Sequence, residues 1–269
     1  MQIANKVFVV TGGGNGIGRD VVLGLIARGA RVAAVDLSDS ALAETARLAA
    51  AAPGRLTTHV VNVTDRAAVE KLPDQVAAAH GHVDGVLNVA GIIHRFAHVQ
   101  DLTFEEIERV MAVNFWGVVA MTKAFLPVLL GRPQAGLVNV ASMGALVPVP
   151  GQSVYGASKA AVKLLTEGLY AELRDTPVAV TIVFPGGIAT DMVSNSGVSL
   201  PARAAELRSK GSGHTSPAAA AKQIIEAVEK GSYRVRIGRD ARLLDRLSRL
   251  MPQRATALIA NRMKALLSP

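Results

Sequence analysis

The stretch LVNVASMGALVPVPGQSVYGASKAAVKLLTEGL, residues 137–169, contains the pattern of a strand, a loop and a helix in one run. Its first residues, Leu137 to Val140, are mostly apolar, as in strands of a parallel sheet that is buried on both faces. From Ser153 onward the apolar residues recur at helical spacing. The run therefore predicts a buried strand, a loop rich in proline and glycine, and a long helix.

Tyr155 and Lys159 are four residues apart in this predicted helix, so their side chains lie on one face, one turn apart. A free tyrosine has a pKa of about 10 and is a poor base at neutral pH. A lysine ammonium one turn away would favour the phenolate and lower the pKa of Tyr155. Ser142 precedes Tyr155 by thirteen residues and could hold the same substrate oxygen. Taken alone, such a pair more often belongs to an ordinary helix surface.

Length and composition indicate one large α/β domain. The chain has 269 residues, half of them apolar and only 4% aromatic, so aliphatic side chains must fill the core. The absence of cysteine excludes disulfide bonds and thiolate metal sites. The first predicted strand, 6–10, leaves no room for a signal peptide, and no stretch approaches 18 uncharged apolar residues. We therefore expect a cytoplasmic protein without a membrane-spanning helix.

A glycine-rich turn, TGGGNGIG at residues 11–18, lies between the first predicted strand and a helix predicted over 17–28. Its glycines permit a tight turn and leave the amides of the helix N-terminus free for a pyrophosphate. The spacing G-x-x-x-G-x-G differs from the commoner dinucleotide fingerprint, and the Arg-Asp that follows excludes a Walker P-loop. Its place between a strand and a helix predicts a dinucleotide site.

The second predicted strand, 31–35, is followed by Asp36. In a dinucleotide-binding fold, an acidic residue at this position binds the adenosine ribose hydroxyls and repels a 2′-phosphate. Asp36 therefore favours NAD over NADP, and it could also cap the next helix. Arg19 and Arg31 could weaken this preference, but neither follows Asp36 directly.

Strands and helices alternate through the chain, which predicts a doubly wound parallel sheet with helices on both faces. Helices are predicted over 40–52, 66–80 and 104–130, and strands over 56–61 and 83–91. Ligands bind such sheets beyond the carboxyl ends of the strands, where Asn62 and the turn Asn88–Gly91 fall. Asn114, inside the helix predicted over 104–130, could serve the site or only satisfy a buried hydrogen bond.

These motifs resemble the short-chain dehydrogenase/reductase family over residues 3 to about 240. The glycine turn matches at Thr11, Gly12, Gly16 and Gly18. The NNAG turn matches at Asn88, Ala90 and Gly91, and the PG-x-x-x-T segment at Pro185, Gly186 and Thr190. The catalytic tetrad matches Asn114, Ser142, Tyr155 and Lys159. The resemblance implies a single Rossmann-type domain over 1–240. The residues beyond it, 241–269, are predicted from their own pattern to form a C-terminal amphipathic helical extension.

The resemblance implies a role for each member of the tetrad. Tyr155 would be the general acid/base, Ser142 would orient the substrate oxygen, and Lys159 would bind the nicotinamide ribose. Asn114 would hold a water in a proton relay, while the Ile188 backbone and the Thr190 hydroxyl would hold the carboxamide. The residues expected to bind the cofactor, NAD, are Gly12, Asn15, Gly16, Ile17, Gly18, Asp36, Leu37, Asn62, Val63, Asn88, Ala90, Gly91, Tyr155, Lys159, Pro185, Gly186, Ile188 and Thr190.

Two positions depart from the family pattern. Val89 replaces the second asparagine of NNAG, and Asn62 stands where the family usually has an aspartate near the adenine amine. An asparagine carbonyl can accept the same hydrogen bond, so we expect weaker charge complementarity rather than lost binding.

The substrate cleft is expected between the loop after Gly91, the loop 143–152 and a lid over 191–215. The predicted substrate contacts are Ser142, Met143, Val149 and Met192. Because these are mostly apolar, a hydrophobic secondary alcohol or ketone fits better than a sugar. The expected function is NAD-dependent hydride transfer; the alternative is a non-catalytic dinucleotide-binding protein that retains the fold.

No metal site is predicted. His80 and His82 flank a glycine before a strand, and both are expected to face solvent rather than to bind a metal.

The C-terminal segment 231–269 carries a net charge of +7, almost all of the chain's +8. Leucines of 243–251 form one face of a predicted helix opposite Arg242, Arg246 and Arg249, and Pro252 separates a second amphipathic helix. Packing on the body or on a second subunit is favoured over contact with an anionic membrane, where the enzyme would act on lipid-like alcohols. Nucleic-acid binding is disfavoured because aromatic residues are not interleaved with the arginines. Family members usually pair through the helices of Asn114 and Tyr155, so a homodimer or homotetramer is expected.

Overall fold

The computed structural model describes residues 1–190, 192–198 and 215–263. Seven parallel strands form one sheet in the order β3-β2-β1-β4-β5-β6-β7. The strands are β1 (Val7–Thr11), β2 (Arg31–Asp36), β3 (Leu56–Val60), β4 (Gly85–Asn88), β5 (Ala135–Val140), β6 (Val178–Pro185) and β7 (Arg234–Ile237). The predicted doubly wound α/β fold is confirmed.

Helices cover both faces of the sheet. They are α1 (Gly16–Ala27), α2 (Asp39–Ala49), α3 (Arg66–His80), α4 (Phe104–Met111), α5 (Gly117–Leu130), α6 (Ser153–Glu172), α7 (Met192–Asn195), α8 (Pro217–Lys230), α9 (Arg239–Leu250) and α10 (Pro252–Met263). Short 3-10 turns occupy Val99–Asp101 and Met143–Ala145. The helix predicted over 104–130 is interrupted by a π-helical turn at Ala112–Trp116, which separates α4 from α5.

The central strands are buried on both sides, which is why their sequences are continuous apolar runs. On one face α1 and α8 pack with Leu42 of α2 against the sheet. On the other face α3, α5 and the C-terminal half of α6 form a second apolar layer. Two layers of helices around one sheet give a single core.

The site is positioned where the strand order reverses. From β1 the chain continues to β2 and β3 on one side of the sheet, whereas β4 lies on the other side of β1. A crevice therefore opens beyond the carboxyl ends of β1 and β4. The Thr11 hydroxyl at the end of β1 accepts hydrogen bonds from the amides of Val89 and Ala90 at 3.0 and 3.2 Å. This bond pair holds the turns after β1 and β4 side by side.

The two histidines that flank Gly81 lie in different surroundings. His80 is buried, with 3% of its surface exposed, and its Nε2 lies 2.9 Å from the Thr57 hydroxyl, so the prediction that it faces solvent is wrong. His82 is partly exposed and pairs with Asp84 at 3.0 Å. In the described part of the chain, no group of three or more His, Cys, Asp or Glu side chains could hold a metal ion.

One helical run, Phe104–Leu130, is long and apolar enough to cross a membrane by length and composition, with a mean hydropathy of 1.6. The run contains α4 and α5, and Met121, Phe125 and Leu129 of α5 lie in the second apolar layer of the core. Helices that pack in the core of a folded protein can meet the same criterion, and 39% of the most apolar window of this run is buried.

The C-terminal helices pack on the body of the protein. Leu244 of α9 and Ala255 and Ile259 of α10 are buried together with Val147 of the loop after β5. The favoured reading of the amphipathic pattern, packing on the body, is confirmed for the described residues up to 263. Of the predicted lid, the described part is 192–198 and Thr215; Asp191 and 199–214 lie outside the described residues.

Candidate active site

The side chains of Ser142, Tyr155 and Lys159 meet at the carboxyl end of β5. Helix α6 begins at Ser153, so Tyr155 lies in its first turn. The Ser142 side chain interacts with the Tyr155 phenol and favours its ionised form, and the Ser142 oxygen accepts from the Gly144 amide at 3.0 Å. Lys159 is 2% exposed, and its Nζ donates to the Val140 carbonyl at 3.0 Å. The strand–loop–helix run that predicted this cluster therefore places all three polar groups together.

Burial dominates the proton affinities of this cluster. It raises the pKa of the Tyr155 phenol above its usual value, and the hydrogen bond with Ser142 opposes this only in part. Burial also lowers the pKa of Lys159 to about 8. The prediction that Lys159 lowers the pKa of Tyr155 is wrong for this structure, because burial disfavours the phenolate and the ammonium alike.

Asn114 lies in the π-helical turn between α4 and α5, a type of distortion that is frequent at functional sites. Its Oδ1 accepts from the Ile92 amide at 2.9 Å, and its Nδ2 donates to the Ile92 carbonyl at 2.9 Å and to the Ser158 hydroxyl at 3.0 Å. Both amide hydrogens are thus used within the protein. A water relay at Asn114 would have to use the main-chain carbonyl or the remaining lone pair of Oδ1.

A ladder of buried polar side chains, which the sequence did not reveal, ties the strands to α6. Asn88 donates to Asn139 at 2.8 Å, and Asn139 donates to the Thr166 hydroxyl at 3.0 Å. Asn88 therefore connects β4 to β5, and its Oδ1 is buried without a partner among the described residues. Gly91, at the end of the same turn, lies against this region: a Cβ there would be 3.0 Å from Lys159 Nζ and 3.2 Å from Asn114 Oδ1.

The glycine turn is confirmed as a place where only glycine fits. Gly12 has a φ of +71°, and a Cβ on it would lie 3.0 Å from the Ala90 backbone. A Cβ on Gly18 would overlap the Gly12 carbonyl oxygen, so only glycine allows the first turn of α1 to pack this closely on the glycine turn. Gly16 faces Thr190, with 3.4 Å between its Cβ position and the threonine methyl group. The predicted pyrophosphate turn and the PG-x-x-x-T segment therefore face each other across the crevice.

Asp36 lies at the end of β2, as predicted. One carboxylate oxygen accepts from the Gly14 amide at 2.9 Å, and the other accepts from the Ser38 amide at 3.1 Å. Helix α2 is capped instead by Ser38, so Asp36 is not the capping residue. Arg31 donates to the His80 carbonyl at 2.8 Å, whereas Arg19 contacts the glycine turn through Asn15 Oδ1 at 3.4 Å. Of the two arginines that could accommodate a 2′-phosphate, only Arg19 contacts the glycine turn.

Three other residues predicted to bind the cofactor are Asn62, Val63 and Leu37. Asn62 Oδ1 accepts from both the amide and the hydroxyl of Thr64, at 3.0 and 2.9 Å. The carbonyl oxygen that we expected to face an adenine amine is thus occupied by Thr64. Val63 is buried against Gly117, where a Cβ would lie 2.8 Å from the valine side chain. Leu37 is exposed beside Asp36 and leaves an apolar surface at the crevice.

The segment after β6 is held from the C-terminal side. The Gly186 amide donates to the Ile237 carbonyl at 2.9 Å, and the Gly187 amide donates to Asp240 at 2.7 Å. A Cβ on Gly186 would overlap the Asp240 carboxylate, which requires glycine after Pro185. Ile188 pairs with Thr215 in a parallel β-bridge. The Thr215 amide donates to the Gly187 carbonyl, and the Ala189 amide donates to the Thr215 carbonyl. Nothing in the sequence pattern had indicated a role for Asp240.

The predicted substrate contacts lie at Ser142, in the loop that follows it and at the start of α7. Met143 and Val149 are partly buried in the loop after Ser142, and Met192 opens α7. Two side chains near them were missed from the sequence. The Ser196 hydroxyl accepts from the Ile93 amide at 3.0 Å and fastens α7 to the loop after β4. Gln152 donates to the His94 carbonyl at 2.7 Å and fastens the Val149 loop to the same segment.

Comparisons with known proteins agree with this geometry. The chain matches the family described as short chain dehydrogenase over residues 6–199. A relative from Mycobacterium tuberculosis, “Putative oxidoreductase SadH”, is 40% identical over 260 residues, which are 95% of this chain and 94% of that protein. The chain belongs to the short-chain dehydrogenase/reductase family, and it is an oxidoreductase with a nucleotide-binding Rossmann fold.

Two solved structures extend the likeness over the C-terminal helices. A short-chain dehydrogenase/reductase from Burkholderia phymatum in complex with NAD has a TM-score of 0.85 and 26% identity, covering 93% of this chain and 95% of that one. A short-chain dehydrogenase from Burkholderia cenocepacia in complex with NADP has a TM-score of 0.80 and 27% identity, with both chains covered fully. A nicotinamide dinucleotide therefore fits the family, and the close approach of Gly12 to Ala90 and of Gly16 to Thr190 fits its passage along the crevice.

Proposed function

We propose that the protein is an NAD-dependent oxidoreductase that interconverts a hydrophobic secondary alcohol and its ketone, with Tyr155 as the general acid/base. The observation that carries the proposal is the cluster of Ser142, Tyr155 and Lys159 at the carboxyl end of β5, in which Lys159 is buried and the Ser142 side chain interacts with the Tyr155 phenol. The rival, a non-catalytic dinucleotide-binding protein, would not need these groups at one place.

The bound nicotinamide supplies or accepts the hydride. For reduction, Ser142 would orient the carbonyl oxygen and Tyr155 would donate its phenolic proton to it as the carbon receives the hydride. The raised pKa of Tyr155 keeps this proton in place at neutral pH. For oxidation, the phenolate would remove the hydroxyl proton, so this direction requires deprotonated Tyr155 and is favoured by higher pH.

The preference for NAD rests on Asp36. Its carboxylate is fixed by the Gly14 and Ser38 amides, which places a negative charge at the end of β2 where a 2′-phosphate would come. Arg19 is the opposing feature, since its guanidinium contacts Asn15 in the glycine turn. We propose that Asp36 dominates because its charge follows the strand directly.

The protein also exposes surfaces that suit larger partners. Large apolar side chains of α6 and of the helical run 104–130 are exposed, which supports a homo-oligomer through these helices: Phe104, Trp116, Leu130, Leu164 and Tyr170. On α9, Leu243 and Leu250 are 62% and 80% exposed beside Arg242 and Arg246, so the prediction that all the leucines lie opposite these arginines is wrong. The packed side of α9 contains Leu244 and Leu247 instead. We propose that the basic apolar face, defined by Arg242, Leu243, Arg246 and Leu250, touches anionic membrane surfaces.

Spectrophotometric turnover with NADH and NADPH tests the reaction. A panel of hydrophobic secondary alcohols and ketones is assayed at pH 7 and pH 9.5. We expect turnover with NAD(H), faster oxidation at pH 9.5 than at pH 7, and loss of about 10²–10⁴-fold in kcat for Tyr155→Phe.

Other outcomes separate the parts of this proposal. A preference for NADP(H) would overturn the argument from Asp36 while leaving the reaction intact. Turnover unaffected by Tyr155→Phe would remove Tyr155 from the chemistry. Tight NADH binding with no turnover on a broad panel would favour the non-catalytic alternative.

A further inference from the structure

The C-terminal hairpin, defined as α9 and α10 (residues 239–263), covers the loop that follows Ser142. Leu244, Ala255 and Ile259 of the hairpin are buried in one cluster with Val147. Met143, Leu146 and Leu247 pack against that cluster. Because 143–147 come directly after Ser142, the hairpin contacts the segment nearest to the reacting oxygen.

A buried carboxylate holds α9 in this position. Asp245 is 2% exposed, and it accepts hydrogen bonds from Arg234 and Arg236 of β7 at 2.9 and 3.0 Å and from Arg249 at 3.0 Å. Burial acts to raise the pKa of Asp245, but the hydrogen bonds and charges of these guanidinium groups outweigh it, and the pKa lies below its ordinary value. Asp245 is therefore ionised and fully paired, which fastens α9 to the edge strand.

The same network reaches the catalytic helix. Arg234 also donates to Glu167 of α6 at 3.1 Å, and its guanidinium lies 4.3 Å from the centre of the Phe184 ring. At the other end of α9, Asp240 accepts from the Gly187 amide at 2.7 Å. The hairpin is thus fixed to the helix of Tyr155 and to the segment opposite the glycine turn.

We propose that the C-terminal hairpin is the outer wall of the substrate pocket and that Leu247 sets the length of the apolar substrate. The proposal rests on the proposed function. Leu244, Ala255 and Ile259 are buried, so they have no surface left for a ligand. Leu247 is the partly exposed apolar residue of the hairpin in this cluster, next to the partly exposed Met143 and Leu146. Shortening Leu247 therefore lengthens the pocket without opening the buried packing beneath it.

A chain-length profile tests this wall. Reduction of straight-chain methyl ketones from four to eleven carbons is measured as kcat/KM for the wild type and for Leu247→Ala and Leu247→Phe. Leu247→Ala should raise the ratio of long to short ketone by about tenfold, and Leu247→Phe should lower it, because pocket length discriminates by about tenfold or more per methylene. The matched control is Leu258→Ala, since Leu258 of α10 is 37% exposed and lies outside the cluster. Its profile should equal that of the wild type.

Equilibrium binding separates failure of the wall from failure of the reaction. The same ketones are titrated calorimetrically into the enzyme saturated with oxidised cofactor, where no hydride can be transferred. A Leu247-dependent shift in binding without turnover would support the wall and refute the proposed reaction. Turnover that depends on Tyr155, with profiles identical in the wild type and Leu247→Ala, would overturn the wall and leave the reaction intact. If none of these ketones binds to the wild type, the proposed wall is also overturned.

Discussion

At the scale of single residues, Lys159 shows the strongest conflict between stability and chemistry. It is 2% exposed, and its Nζ donates to the Val140 carbonyl at 3.0 Å. Burial lowers its pKa from 10.5 to about 8, a difference worth about 3 kcal/mol of unfavourable burial while the amine is charged. Burying the amine costs stability, so under the proposed function we expect Lys159 to be kept for its place in the site and not for the fold.

We expect Lys159→Met to stabilise the protein at pH 7 by about 2 kcal/mol, the burial term less about 1 kcal/mol for the lost hydrogen bond. Between pH 8 and 10.5 the unfolded wild type binds more protons than the folded one, so wild-type stability rises with pH and the gain shrinks. Urea unfolding at pH 7 and pH 9.5 measures both effects. Lys123→Met, at an exposed position of α5, should change stability by less than about 0.5 kcal/mol. A destabilised Lys159→Met protein at pH 7 would contradict the argument.

At the scale of elements, periodicity predicted most helices and strands but missed the break at Asn114. The apolar pattern runs without interruption from Phe104 to Leu130, so nothing in it indicates a π-helical turn. At this turn the Asn114 side-chain amide is hydrogen-bonded to both the amide and the carbonyl of Ile92 in another loop. That partner is distant in sequence and could not be read from the helix pattern.

The amphipathic pattern of α9 likewise predicted that one side of the helix packs, but it did not predict which residues that side contacts. Its inner side packs against the loop after Ser142, while the basic apolar face keeps Leu243 and Leu250 exposed. Arg242 and Arg246 line a groove of about 430 Å³ together with Lys230, Arg234 and Arg236. In the described residues neither Arg242 nor Arg246 forms an ion pair, so their charges remain available to an anionic surface.

Vesicle flotation tests the basic apolar face. The full-length protein should float with vesicles rich in phosphatidylglycerol and not with pure phosphatidylcholine. Replacing Arg242 and Arg246 by glutamine should reduce the bound fraction severalfold, since each cation near an anionic surface contributes about 1 kcal/mol. Lys71→Gln with Arg174→Gln removes the same charge from exposed positions elsewhere and should leave flotation unchanged. Equal loss in both double variants would mean that net charge alone, rather than this face, drives the binding.

At the scale of the whole molecule, a buried carboxylate joins the amino ends of the central strands. Asp84 accepts from the Val7 amide at 2.9 Å and from Arg132 at 3.0 Å, and it lies 3.5 Å from Lys6. Burial acts to raise the pKa of Asp84, but the Val7 and Arg132 hydrogen bonds and the nearby positive charges lower it below the usual value. Asp84 therefore stabilises the fold above its unfolded pKa of about 4, and this contribution is lost as pH falls.

We expect Asp84→Asn to lower the free energy of unfolding at pH 7 by about 3 kcal/mol, because it removes one partner of a buried charge cluster. The difference from the wild type should narrow at pH 3.5, where the unfolded wild type begins to bind a proton at this carboxyl group while the folded protein binds less. Denaturant unfolding at both pH values gives the two differences. Asp74→Asn, at an exposed position of α3, is the control and should change stability by less than about 0.5 kcal/mol. A deficit as large at pH 3.5 as at pH 7 would mean that Asp84 acts through its shape and not its charge.

The sequence by itself determined the alternation of strands and helices along the chain and the place of the glycine turn, and its resemblance to the family marked the tetrad positions. Those features depend on local spacing: apolar runs, glycines that no Cβ could replace, and a tyrosine and a lysine one turn apart on α6. Composition also placed the basic excess in the C-terminal segment, but it left the partner of that segment open.

Only the tertiary structure decided the properties that depend on burial and on contacts between distant segments. Burial raised the pKa of Tyr155 where spacing alone predicted a lower one, and it placed His80 inside the protein. Thr64 took the Asn62 oxygen that we expected to face the adenine, and Asp245 fixed the C-terminal hairpin over the loop after Ser142. Burial and contacts between distant segments exist only in the folded chain, so the sequence could supply the groups but not their surroundings.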